Sequence, residues 1–122
     1  MHRPSSAQET HGLQIESRAE GDDISVIRLT GDADLHTAPM LRDVLEEGAN
    51  SGVAILVIDL TGVTFIDSMM LGVLLGASRR TRAREIEMRI VVDDPHVRRI
   101  FELTLLDQVL TLCPSLPLAL ER

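Results

Sequence analysis

The most constraining stretch of this chain is residues 54–60, Ala-Ile-Leu-Val-Ile-Asp-Leu, a nearly unbroken run of apolar side chains. Its nearly continuous Ile, Leu and Val content marks a strand. Successive strand side chains point to opposite faces, so a strand apolar at both parities must be covered on both sides. That is the condition of an inner strand in a parallel sheet. Parallel neighbours require crossover connections, so helices and strands are expected to alternate around it.

The rest of the chain fits that demand. Residues 13–17 and 24–30 alternate apolar and polar side chains around a turn at Glu20, Gly21, Asp22 and Asp23, which predicts a hairpin. Gly31 is expected to end the second strand, with Asp32, Ala33 and Asp34 in a loop and Thr37 capping a helix over residues 38–49. Ala38, Leu41, Val44 and Leu45 give that helix its inner face, and Pro39 suits its first turn. After a loop at 61–66, Asp67 or Ser68 is expected to cap a helix to about residue 84, with Leu71, Leu74, Leu75 and Ser78 inside. A third core strand at 89–92, a short helix opened by Asp94 and Pro95, a last strand near 109–112 and a C-terminal turn complete the chain. The expected fold class is α/β: a mixed, mostly parallel sheet of four to five strands with an N-terminal hairpin and flanking helices. Residues 1–12 are polar and lack the apolar core of a signal peptide, so they are expected to be a disordered tail before a domain spanning 13–122, in a cytoplasmic protein.

Composition narrows the chemistry. All twelve basic residues are Arg, which leaves no lysine for a P-loop, a Schiff base or a phospho-receiver site. The net charge of −7 opposes binding to nucleic acid, and no run reaches the roughly 20 apolar residues of a membrane span. Cys113 is the one cysteine, and His36 and His96 have no second ligand at metal-like spacing, so neither a disulfide nor a metal or other cofactor is expected.

In open α/β sheets the working surface lies beyond the carboxyl ends of the parallel strands. Topology therefore gathers Asp32, Asp34, His36, Asp67 and Ser68 at one end of the molecule. Carboxylates there could hold Mg²⁺ for hydrolysis, Ser68, His36 and Asp34 could be read as a triad, or the acids could order turns and cap a helix. The nucleophile elbow of the second reading is missing around Ser68, and the last reading is preferred. The chain is expected not to be an enzyme.

The order and spacing of several short motifs between residues 13 and 112 resemble the STAS domain family. They are Gly31-Asp32-Ala33-Asp34, Thr37-Ala38-Pro39, the segment 56–63 with Asp59-Leu60-Thr61-Gly62, Phe65-Ile66-Asp67-Ser68, Leu71-Gly72-Val73-Leu74-Leu75, the segment 97–104, and Leu106-Asp107. Stand-alone bacterial members of that family are anti-sigma factor antagonists. The resemblance implies docking onto an anti-sigma factor, usually a small ATP-dependent serine kinase, and release of the sigma factor that it holds. It also implies phosphorylation within Asp-Ser-Ser/Thr-Gly-Leu-Gly, reversed by a metal-dependent serine phosphatase. Here the acceptor position holds Met69 and the following glycine is Met70, while a further family glycine is Leu105. Ser68 is left as the substitute phosphosite. The expected docking surface comprises Asp32, Asp34, Asp67 and Ser68 with the helix face Met69, Gly72, Val73, Gly76 and Arg80, an apolar patch turned outward. The alternative is a phosphorylation-insensitive scaffold or the soluble subunit of a regulatory or transporter complex. Nothing in the sequence sets the oligomeric state.

Overall fold

The computed structural model describes residues 5–10 and 12–122. Six strands form one sheet in chain order: β1 (Ser5–Thr10), β2 (Leu13–Glu20), β3 (Ile24–Ala33), β4 (Ile55–Ile66), β5 (Glu87–Val91) and β6 (Thr111–Cys113). The first three are antiparallel neighbours, and β3 to β6 run parallel. Between them lie helices α1 (Ala38–Ala49), α2 (Ser68–Ala83) and α3 (Pro95–Leu103), followed after β6 by the short α4 (Leu116–Ala119). The edge strand β1 occupies half of the segment expected to be a tail, and Gly12 forms a turn after it; residues 1–4 and 11 lie outside the described residues.

β4 is covered on both faces, as its composition requires. Leu56, Ile58 and Leu60 join the larger core with Leu41 and Leu45 of α1, Leu71 and Leu74 of α2, and Phe101 of α3. Ile55 and Val57 face the other way, with Ile24, Val26, Val91 and Ala119 of α4. Gly48 lets α1 settle close to the sheet, since a methyl there would meet Leu56 Cδ1 at 3.0 Å. No helix among the described residues is long and apolar enough to cross a membrane.

Two expectations need correction. The second strand does not stop at Gly31, nor does the central strand stop at Leu60. Both run on as a pair, with Gly31 opposite Val63, Asp32 opposite Phe65 and Ala33 opposite Ile66, after register shifts between Arg28 and Thr30 and between Gly31 and Asp32. Gly31, read as the end of a strand, and Gly62 serve this irregular pairing instead. Gly31 has φ +108 and its absent Cβ would stand 2.0 Å from the Gly12 carbonyl oxygen, while a Cβ on Gly62 would lie 3.0 Å from the Leu29 oxygen.

Candidate functional site

The extended β3–β4 pair delivers two loops to the same end of the sheet, where they are joined directly. The Asp67 amide donates to the Ala33 carbonyl at 3.2 Å. Asp67 also caps α2, accepting the Met70 amide on Oδ1 at 3.0 Å, and accepts the Leu35 amide on Oδ2 at 3.0 Å. One carboxylate thus holds a helix start and the neighbouring loop together, using both oxygens. Of the two candidate caps, Asp67 performs the task, and Ser68 is the first helical residue, exposed to solvent.

The β3–α1 loop is ordered by its own side chains. Asp34 Oδ1 accepts the His36 amide at 2.9 Å, and the Asp34 amide donates to Thr37 Oγ1 at 3.0 Å. Thr37 is fully buried, and its hydroxyl donates back to the Asp34 carbonyl at 3.0 Å. It therefore locks the loop rather than capping α1, where it makes no side-chain bond to the helix. Asp34 and Asp67 spend carboxylate oxygens on backbone amides, which leaves a poor cradle for a hydrated cation.

Around this frame sit large apolar side chains in solvent: Leu35 is 57% exposed, Phe65 47% and Met69 44%. Asp32 is exposed beside them, and Asp34 and Asp67 are half-buried. Sequence patterning missed Leu35 and Phe65, because a single apolar residue in a loop, or on a segment taken for a loop, carries no periodic signal. Residues 63–66 of β4 run buried, exposed, exposed, buried, which breaks the period of two that would have marked Phe65.

The expected outward face of α2 is only partly outward. Ser68, Met69 and Gly72 are exposed, with no heavy atom within 4 Å of where a Gly72 side chain would begin. Val73 is buried in the main core, and Gly76 and Arg80 are half-buried. The reason is that α2 packs against α1 as well as the sheet, so its buried arc is wider than one stripe. Arg80 Nε lies 2.6 Å from Glu46 Oε2 of α1, an ionic contact outside hydrogen-bonding angles, and Arg84 approaches the same carboxylate at 3.6 Å. Met70, at the family's glycine position, is wholly buried.

Comparison with known proteins now bears on this arrangement. The STAS domain family pattern matches residues 17–119. The chain belongs to the STAS domain family. It is 33% identical over 98 residues to the anti-sigma-B factor antagonist of Listeria monocytogenes, covering 80% of this chain and 86% of that protein. Its fold superimposes on an anti-sigma factor antagonist from Mycobacterium paratuberculosis with a TM-score of 0.81 at 30% identity, covering 88% and 91% of the two chains. It also matches the antagonist SpoIIAA in its unphosphorylated form with a TM-score of 0.70 at 22% identity, over 81% and 87%, a likeness of fold. As a STAS domain, the chain carries its family motifs in the β3–α1 loop and at the start of α2, the two segments that Asp67 ties together.

Proposed function

We propose that this chain is an anti-sigma factor antagonist that docks through the Asp67-centred end of the sheet and is insensitive to phosphorylation at the family's acceptor position. The observation that carries the reading is Met69, 44% exposed on the first turn of α2 at the place where the resemblance puts the family's acceptor, with Leu35 and Phe65 also exposed. A thioether has no hydroxyl to accept a phosphoryl group, and methionine adapts well to a partner surface. The partner is an anti-sigma factor of the ATP-dependent serine kinase type, met in the cytoplasm by a single domain spanning residues 13–122. Asp32, Asp34, Asp67, Ser68, Met69 and Gly72 form the contact, with Gly76 and Arg80 at its margin and Val73 supporting it from within. Where an acceptor exists, phosphorylation adds about −1.5 to −2 charges to a surface already bearing aspartates, which weakens docking by repulsion. With Met69 that brake is absent, and docking is governed by partner supply or by a competing antagonist. A serine phosphatase has no substrate at this position.

The test is incubation with the copurifying kinase and ATP, followed by intact mass measurement. Native chain is expected to remain unmodified and Met69→Ser to gain one phosphoryl group. Changing Met69 alone suffices; Met70→Gly would open a cavity beneath α2 costing about 2–5 kcal/mol. Stoichiometric addition to native Ser68 would show that the switch has moved by one residue and would overturn the reading.

A further inference from the structure

The sheet has a second face, where α4 covers Ile24 and Val26 of β3, Ile55 and Val57 of β4 and Val91 of β5, while Glu16 and Arg18 of β2 and Arg28 of β3 stand exposed beyond that cover. A cavity of about 340 Å³ lies there, lined by Glu16, Arg18, Val26, Arg28, Asp59 and Leu116. Strand register places Glu16 directly opposite Arg28, and Arg28 directly opposite Asp59, so three residues of alternating charge stand in one row across three strands. Residues opposed in this way have Cβ atoms about 5 Å apart.

The charges in this row are not mutually satisfied. Arg18 is drawn to Glu20 at 3.1 Å, whereas no described residue forms an ion pair with Arg28. Asp59 is only 2% exposed; its Oδ1 accepts the Thr61 amide at 3.0 Å, and the second oxygen carries no such bond. Asp59 lines the cavity, and its second oxygen keeps acceptor capacity for a cation or donor there. Val26 and Leu116 supply the apolar part of the lining.

We propose that this cavity binds a small zwitterion of the α-amino acid class, its carboxylate on Arg28, its ammonium between Asp59 and Glu16, and its side chain on Val26 and Leu116. An inorganic anion fits poorly, because the two carboxylates repel it, and a simple amine leaves Arg28 unpaired. The volume suits a ligand of this size. The site lies on the sheet face away from α1 and α2, and the proposal stands independently of the docking reading.

Amide-resolved NMR titration of the full chain with glycine, valine and leucine tests it. Leucine is expected to give saturable shifts confined to β2, β3, β4 and α4. 3-Methylbutylamine, which lacks the carboxylate, and 4-methylpentanoate, which lacks the ammonium, should each bind about tenfold more weakly or less, since each forfeits one charge-assisted contact. Arg28→Gln and Asp59→Asn should weaken leucine to a similar degree; the asparagine keeps an oxygen for the Thr61 amide, and unchanged far-shift spectra would show the fold intact. Absence of saturable shifts with all three amino acids up to about 10 mM, the range of weak small-ligand binding, would overturn the proposal. So would an analogue that binds as well as leucine, or binding indifferent to both substitutions.

Discussion

Asp67 concentrates more structural consequence than any other residue at the proposed docking end, because one carboxylate satisfies amides 32 positions apart in the chain, at Leu35, and three apart, at Met70. Asp67→Ala removes a helix cap, worth about 1 kcal/mol, and strands the Leu35 amide as well, so a loss of about 1–2 kcal/mol is expected in urea unfolding. Asp67→Asn retains one acceptor oxygen and should lose about half as much. Ser68→Ala should be close to neutral, since Ser68 caps nothing; a loss as large as that of Asp67→Ala would contradict the assignment of the cap. At this scale the sequence was informative about which residues cluster and poor about what each one does. Asp32, Asp34, Asp67 and Ser68 do share one end of the sheet, but the hydroxyl that orders the loop belongs to Thr37, and the exposed apolar side chains Leu35 and Phe65 stood outside any periodic pattern. Leu105 shows the same limit from another side. It occupies a left-handed conformation at φ 62 while 67% exposed, a position where the family's glycine would be free of Cβ strain.

Elements were legible wherever one period dominated. The bounds of α1 follow from its apolar spacing, its proline and its terminal glycines, and β4 announces its burial by composition alone. Legibility failed where a glycine had two meanings. Gly31 and Gly62 look like strand ends, yet they allow an irregular parallel pair to continue past them, and only the approach of the Gly12 and Leu29 carbonyls distinguishes the cases. Gly72 is a third instance, and it offers a test. In the interior of an exposed helix face a glycine costs about 1 kcal/mol relative to alanine, and a methyl at Gly72 would meet no atom of this chain within 4 Å. Gly72→Ala should therefore raise stability by about 1 kcal/mol in urea unfolding while weakening docking about tenfold, because on the proposed reading the added methyl would stand in the docking surface. Stability and affinity would move in opposite directions, an outcome that a purely structural glycine does not give. Unchanged affinity in the stabilised variant would remove this part of α2 from the interface.

The whole molecule carries nineteen acidic residues against twelve arginines, a net charge of −7, and its docking end adds local acids to that field. The Asp32 side chain, exposed and with no hydrogen bond or ion pair to a described residue, belongs to the rim around Leu35, Phe65 and Met69, while its backbone amide donates to the Gly12 carbonyl at 3.3 Å. Rim charges steer encounter, whereas desolvated apolar contacts hold the complex once formed. A partner suited to this surface presents an apolar pocket within a basic border. Its association with the native chain should slow about tenfold between about 0.05 and 0.5 M salt, as the screening length contracts from beyond 10 Å to a few ångströms. Dissociation should change little over the same range, because the contacts that govern it are short-ranged. Asp32→Asn should reduce the salt slope of the association rate and leave dissociation alone, while Phe65→Ala should accelerate dissociation and leave the slope intact. Stopped-flow or surface-binding kinetics at several salt concentrations separate the two effects. An association rate indifferent to salt, or a Phe65→Ala variant altered only in association, would mean that the acidic rim and the apolar centre do not divide the work in this way.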